Sequence, residues 1–343
     1  MTSPLRSHSA VTLADVAREA GVSTATASFV LSGRDGSTSS GSPATKAKVR
    51  AAAERLGYVP NRSAQAMRTG RGGGIVLALG TLADPWGVAL AREVRDSALE
   101  HALSTLVLAD ERWYEYLSGA SPDCAFITGV DFVDDGPAKV QRLASGLAGG
   151  LVAFSTLMEP DSFDVIHSSA FPAIGKAYRK LRARHARVHF MARTPRDNPD
   201  GALAAPRTRA FLDAVAAAGD EPSEGLVCAA APGAREAHHV ARDWLSDTRR
   251  PTAVVVSTGY QAVALHTAAN ELGLRCPDDL EIISIGDVPE QSQLYGPISY
   301  YGVRDVFPRM ADVIVSRATD RTGRPGQLYR FDWEFFPGAT TAD

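Results

Sequence analysis

An all-α helix-turn-helix head, followed by an α/β body of two lobes with parallel sheets, is the fold class this 343-residue sequence predicts. Three observations predict it. Three short helical stretches joined by glycine-marked turns fill residues 11–60. From Gly74 onward, short β-rich apolar runs alternate with amphipathic helical stretches. Charge divides at the same place. Residues 1–74 hold ten Lys/Arg against four Asp/Glu, a net of +6, and the rest hold 26 against 35, a net of −9. A basic head on an acidic body points the head at a polyanion.

Bulk properties narrow the class. At 45% hydrophobic the chain has material for two or three folded units. No stretch approaches the ~18 apolar residues of a membrane span. Met1 to Ala10 is polar, lacks the apolar core of a signal peptide and reads as a disordered tail. Cys124, Cys228 and Cys276 are odd in number, far apart and without a C-x-x-C pair. That usage fits a reducing cytoplasm, the expected location, and argues against structural zinc.

The head begins at Thr12-Leu13-Ala14-Asp15, which has capping-box form with Thr12 as N-cap. Leu13, Val16, Ala17 and Ala20 recur at helical spacing. Gly21 suits the left-handed position that ends a helix. Ser23 is a second N-cap, and its helix runs to about Ser32. Gly33 to Gly41 is Gly/Ser-rich loop. Ser42-Pro43 opens a third helix, with Pro at the first helical position, which ends at Leu56-Gly57. Two helices on a tight Gly turn, supported by a third, make a helix-turn-helix unit whose second helix suits a DNA major groove.

In the body, the strand-like runs include Ile75–Leu79, Thr105–Leu108, Ala125–Thr128, Leu151–Phe154, Val188–Met191, Leu226–Ala229, Ala253–Val256 and Ile282–Ile285. Helical stretches such as Val88–Ala102, Ala170–Arg184, Arg207–Ala218 and Gln261–Leu272 lie between them. This is the pattern of parallel strands with crossover helices. Over residues 74–338 it divides into two lobes. Ligands bind such folds at the C-terminal ends of the strands or in the crevice between lobes.

Specific motifs carry a resemblance. VTLADVAREAGVSTATASFVLS (residues 11–32) resembles the DNA-binding head of the lactose/galactose repressor family. AERLGYVPNRSAQAMRTGR (53–71) resembles that family's third helix and hinge. IVLALGTLADPW, RTRAFLDAVAAAG and AVVVSTGYQAVALHTAANELGLRCPDDLEIISIGDVP resemble, in order, segments of its core. The resemblance spans nearly the whole chain. It implies a homodimer on a near-palindromic operator, a hinge over 61–73 and a core folded like periplasmic sugar-binding proteins. A small-molecule effector held between the lobes would alter the hinge and DNA affinity, usually as a repressor.

The candidate sites follow from it. Ser23, Thr26, Ser28 and Ser32 can donate to phosphates, and Thr24, Ala25 and Phe29 fall on base-reading positions. Phe29 departs from the family, which commonly has Arg there. Arg clasps a guanine with two hydrogen bonds; Phe29 either packs on thymine methyls or folds into the local core. In the hinge, Asn61, Arg62, Ala64 and Met67 match a segment that becomes helical on DNA. Met67 stands where the family places a Leu that wedges between minor-groove steps.

The effector candidates are Trp86, Arg207, Thr258, Tyr260 and Asp287, with Tyr295 considered beside them. Arg207 is either the family's effector arginine or a surface helix residue. Trp86 either stacks on the ligand or fills the lobe core. Thr258-Gly259, Gly286-Asp287 and Ser155 replace acidic or amide groups common in the family, which puts a sugar effector in doubt and leaves an apolar ligand, an anionic ligand or none. Catalysis is not expected: nucleophile-elbow, Walker-loop and H-E-x-x-H motifs are absent, and the adjacent His238-His239 diverge on a helix. No cofactor, metal or membrane partner is expected. The alternative is a small-molecule sensor with a vestigial head.

Overall fold

The computed structural model describes residues 11–31, 42–59, 72, 74–80, 82, 84–110, 112–194, 199–288 and 297–342. The chain separates into two units, one up to Gly72 and one from Gly73. Among the described residues no helix is long and apolar enough to cross a membrane.

The first unit contains α1 (Leu13–Ala20), α2 (Thr24–Leu31) and α3 (Pro43–Leu56). Thr12 and Asp15 close a reciprocal capping box at α1, and Gly21 ends it at φ 68°. Ser42 caps α3, Pro43 sits in its first turn and Gly57 ends it at φ 63°. Val16 and Ala17 from α1, Ala27 and Val30 from α2, and Val49, Ala52 and Ala53 from α3 form one small core. The Arg55–Glu19 ion pair, 3.1 Å, bridges α3 to α1 on the outside.

The second unit has two lobes, each built on a six-stranded sheet. The first sheet runs β11-β5-β4-β3-β1-β2. Its strands are β1 (Gly74–Ala78), β2 (Ser104–Leu108), β3 (Cys124–Ile127), β4 (Gly150–Phe154), β5 (Asp164–His167) and β11 (Leu328–Arg330). All its pairings are parallel. The second sheet runs β12-β10-β9-β8-β6-β7. It contains β6 (His189–Arg193), β7 (Val227–Ala230), β8 (Ala253–Val256), β9 (Glu281–Ile285), β10 (Ser299–Gly302) and an antiparallel edge, β12 (Glu334–Phe336).

Helices cover both faces, as parallel sheets require. In the first lobe, α4 (Pro85–Leu99) and α11 (Val306–Thr319) bury Leu90, Val94, Met310 and Ile314 on Ile75, Leu77 and Phe126. On the other face, α5 (Trp113–Gly119) and α6 (Gly136–Gly146) bury Trp113, Leu117, Val140 and Leu143. In the second lobe, α7 (Phe171–Arg182) and α8 (Pro206–Ala217) cover one face with Ile174, Leu181 and Phe211. There Phe211 stacks on Phe190 at 4.9 Å. The opposite face carries α9 (Ala234–Ser246) and α10 (Gly259–Glu271), with Ala237, Ala241 and Leu265.

The strands absent from the runs named in the sequence are β5, β10, β11 and β12. Each has three or four residues and includes polar or glycine positions, so its apolar run is too short to stand out. Elsewhere the helix ends move. The helix expected over 88–102 begins at Pro85 because Asp84 accepts the Trp86 N–H, 3.0 Å, and caps it. The strand expected over 226–229 begins at Val227 because Ser223 caps a short 3₁₀ turn through Leu226.

Connectivity places the site. The chain leaves the first lobe after β5, returns between β10 and α11, and crosses again between β11 and β12. The C-terminal ends of the β-strands in both lobes therefore meet at one cleft, with these crossings at its side.

Candidate functional site

The head presents α2 as a reading helix. Ala27 and Val30 face the core, whereas Thr24 and Ala25 are exposed and Thr26, Ser28 and Phe29 are half-buried. Ala25 and Phe29 are four residues apart and share one side. Ser23 Oγ accepts the Thr26 N–H, 3.1 Å, and lies 2.9 Å from the Thr26 hydroxyl. One hydroxyl proton of that pair satisfies the other oxygen, which leaves one for an outside acceptor. Arg18 and Arg55 are paired with Asp15 and Glu19; Lys48 and Arg50 project from α3 into solvent. Ser32, Asn61, Arg62, Ala64 and Met67 lie outside the described residues.

In the second unit, a cavity of about 800 Å³ opens between the lobes. Asp84, Trp86, Arg92 and Phe307 line it from the first lobe. Tyr260, Asp287, Tyr300 and Phe336 line it from the second. Three of the expected effector residues, Trp86, Tyr260 and Asp287, thus share one cavity.

Trp86 is half-buried and meets Phe154 and Phe307 edge-on or tilted, each at 6.1 Å. It packs against the lobe core and also lines the cavity. Tyr260 is 4% exposed, and its hydroxyl makes no well-formed hydrogen bond among the described residues, with the Gly233 backbone and the Thr258 side chain close by. A buried polar atom without a partner costs about 1–3 kcal/mol. Burial raises its pKa above the usual phenol value.

Asp287 follows β9. Burial pushes its carboxyl up to about 6; its own backbone N–H pulls the other way, and the Asp84 charge across the cavity adds to the rise. Two glycines make room for it. A Cβ at Gly259 would collide with the Asp287 carbonyl, and one at Gly302 would sit 2.5 Å from Oδ1. Among the described residues no Lys or Arg forms an ion pair with it.

Arg207 and Thr258 are placed differently. Arg207, in the first turn of α8, is half-buried, and its Nη1 donates to the carbonyls of Ser257 and Ile285, the latter at 3.2 Å. It ties the ends of β8 and β9 together rather than standing on the surface. Burial lowers its pKa, and Asp84 partly offsets this. Thr258 is buried, and its hydroxyl donates to Gln261 Oε1, 2.9 Å. Ser257 donates to the same oxygen, 2.7 Å, while Gln261 Nε2 donates to the Ala192 carbonyl, 3.1 Å. This network completes the second lobe's floor. Tyr295 lies outside the described residues.

Sequence reasoning missed Asp84 and Asp131 as acceptors and Tyr300 as a wall. Asp84 had a legible signal, an Asp directly before a Pro at a helix start. Tyr300 sits on β10, which was itself missed. Asp131 sits after β3 and accepts the Ser155 hydroxyl, the Thr156 N–H at 2.7 Å and the Thr156 hydroxyl at 2.8 Å. Ser155 stands where an acid was looked for and instead binds one supplied from a neighbouring strand end.

Comparison with known proteins gives two domain matches. Residues 12–61 match the model for bacterial regulatory proteins of the lacI family. Residues 179–329 match the periplasmic binding protein-like domain. The transcriptional repressor PurR of Edwardsiella ictaluri is 26% identical, over 90% of this chain and 92% of its own. A LacI-family regulator from Silicibacter pomeroyi superposes with a TM-score of 0.75 at 21% identity, covering 96% of this chain and 99% of its own. The lac repressor dimer bound to operator and the anti-inducer ONPF gives 0.66 at 21%, covering 98% and 100%. At such identity these two structures speak to the fold.

Proposed function

Because this chain belongs to the LacI family of bacterial regulatory proteins, with a DNA-binding head ahead of a periplasmic binding protein-like core, we propose that it acts as a dimeric, cytoplasmic repressor. It is a DNA-binding transcriptional regulator. Its operator is near-palindromic, and a small molecule between the lobes sets its affinity. Chemistry on substrate is no part of this role.

One observation carries the reading. The lacI-family match falls on the three-helix head, where Thr24 and Ala25 of α2 are exposed and Ser28 and Phe29 half-buried beside them. We assign phosphate contacts to Ser23, Thr26, Ser28 and Ser32, and base-edge contacts to Thr24, Ala25 and Phe29. Phe29 meets thymine methyls, so sequence reading leans on apolar contact and DNA shape. Asn61, Arg62, Ala64 and Met67, in a hinge over 61–73, enter the minor groove with Met67 as the wedge. In the core, Trp86, Tyr260 and Asp287 contact the effector. Arg207 and Thr258 hold the floor beneath it.

Pairing has support in the first lobe. Leu99 at the end of α4 and Leu106 on the edge strand β2 are 64% and 47% exposed, apolar positions suited to a second copy. The lac repressor of known structure is likewise a dimer on its operator.

The test is selection of full-length protein on a random duplex pool at moderate salt. A palindrome with half-sites about one helical turn apart is expected. Failure to enrich any sequence by a folded dimer overturns the reading. Met67→Ala is expected to weaken selected DNA by about tenfold and random DNA little, a wedge being sequence-dependent. Equal loss on both removes the wedge.

A further inference from the structure

The cleft carries a charge pattern that narrows its ligand, and the argument rests on the cleft being the effector site. Asp84 belongs to the first lobe and Asp287 to the second, and both line the same cavity. Asp84 uses one oxygen to cap α4. Asp287 has no cationic partner among the described residues. Arginines also bear on the cleft: Arg304 pairs with Glu334 at 2.8 Å and lies over the Phe336 ring, Arg92 lines the cavity from α4, and Arg207, its Nη1 held by backbone carbonyls of the second lobe, feels the Asp84 charge.

Around the two carboxylates stand rings. Trp86 comes from one lobe and Tyr260 and Tyr300 from the other. Tyr300 is held flat against Phe336, with centroids 4.6 Å apart and planes 8° apart. Tyr260 lines this cavity, and its buried hydroxyl makes no well-formed hydrogen bond among the described residues, although the Gly233 backbone and the Thr258 side chain lie close enough to favour its ionised form. Aromatic faces and carboxylates together attract organic cations. A sugar asks for many alternating donors and acceptors, whereas here Ser257, Thr258 and Gln261 are bonded to one another, and Asp131 is bonded to Ser155 and Thr156. A bare metal ion asks for about six oxygens, and two carboxylates beside rings offer too few.

We propose that the effector is an organic cation, an amine or quaternary ammonium on an apolar body, whose charge lies between Asp84 and Asp287 and whose body lies against Trp86, Tyr260 and Tyr300. Binding draws the lobes together. Asp84 and Asp287 repel one another across the empty cleft, Arg207 offsets part of that repulsion from the second lobe, and a cation between the two carboxylates reverses the sign of what remains. The ligand thereby distinguishes open from closed, which an uncharged body of the same shape does far less.

The test uses full-length protein with choline, agmatine and spermidine as probes. Cellobiose, inorganic phosphate and 3,3-dimethylbutanol, the uncharged counterpart of choline, serve as controls. Titration calorimetry reads binding, and retention of the selected DNA is measured on the same samples. At least one ammonium probe is expected to bind saturably and to outbind the uncharged counterpart tenfold or more. Asp287→Asn and Asp84→Asn, each checked for native circular dichroism, are expected to weaken it tenfold or more. Binding of sugar or phosphate alone, of nothing, or of an ammonium probe equally by wild type and Asp287→Asn overturns the proposal. DNA selection without ammonium binding leaves the regulator standing and removes the cation. Ammonium binding without DNA selection does the reverse.

Discussion

The two lobes share a plan and dispose of their polar groups differently. Each has a six-stranded sheet with helices on both faces, and each buries an acid at the first residue of a strand. In the first lobe Asp164, fully buried, takes a two-pronged grip from Arg324 at 2.8 and 2.7 Å and the Gln327 N–H at 2.8 Å. In the second, Glu281 takes Arg184 at 3.0 Å and lies 3.2 Å from His185. At the cleft they diverge. The first lobe closes its polar groups on one another through Asp131, Ser155 and Thr156. The second leaves Tyr260 without a well-formed hydrogen bond, and Asp287 without a counterion, among the described residues. Both lobes contribute to the cavity, Asp84 and Trp86 from the first and Tyr260, Asp287 and Tyr300 from the second, but only the first ties its Asp131 carboxylate up in a local network.

The comparison can be broken at its strongest point first. Asp164→Ala leaves Arg324, and Arg317 whose Nη1 lies 3.9 Å from the same carboxylate, without their acid. It is expected to cost about 3–5 kcal/mol, as loss of one partner from a buried pair does, read by urea denaturation of the core. A loss below 1 kcal/mol would show that solvent already reaches the pair. Next, Ser155→Ala removes the acceptor of the Leu157 and Met158 N–H groups, each 3.1 Å away. About 1–3 kcal/mol is expected, with little change in ligand affinity. A large affinity change would extend the first lobe's part in the site from Asp84 and Trp86 to the Asp131 network.

Asp287→Asn should act in the opposite direction. The folded pKa is raised to about 6 from 3.8, so ionisation costs stability progressively as pH rises from the lower value to the higher. Above pH 6 the unliganded variant is expected to melt about 2–4 °C higher than wild type, the equivalent of about 1 kcal/mol. Below pH 4 the gain should vanish. Equal melting at pH 8 would mean the carboxylate has a partner in solution.

The smallest effect is at Glu281. Burial opposes its ionisation, but bonds from Arg184 and His185 outweigh that and hold it below 4.5. Its contribution is therefore present above pH 4.5 and lost as pH falls through the folded value. Glu281→Gln should flatten the acid limb of the stability profile, and an unchanged limb would assign it to other acids.

Much of this was legible in the chain. The capping box at Thr12 and Asp15, the glycine stops at Gly21 and Gly57, and Pro43 all act within one turn of helix, so neighbouring letters reveal them. Long buried runs such as AVVV of β8 were equally plain. The edge strands were not, because three residues such as Leu328–Arg330 become a strand only when β5, distant in sequence, offers its backbone. The cleft was half legible. Asp287 and Tyr260 could be named from the resemblance, but what surrounds their polar atoms is a fact of three dimensions. Nor can any letter tell that Ser155 would reach Asp131 across 24 positions.

The three crossings between lobes bear on how the molecule is made. The first lobe's core includes Val303, Val306, Met310, Ile314 and Phe331, supplied after the second lobe's strands β6 to β10 have been laid down. Emerging from the ribosome, Leu90, Val94 and Ala98 meet water until α11 follows some two hundred residues later, about ten to forty seconds at common rates of synthesis. The second lobe, nearly contiguous, can close first. The earlier-translated half is therefore the later to fold, and over that interval its uncovered helix face is the part of the nascent chain most in need of a chaperone.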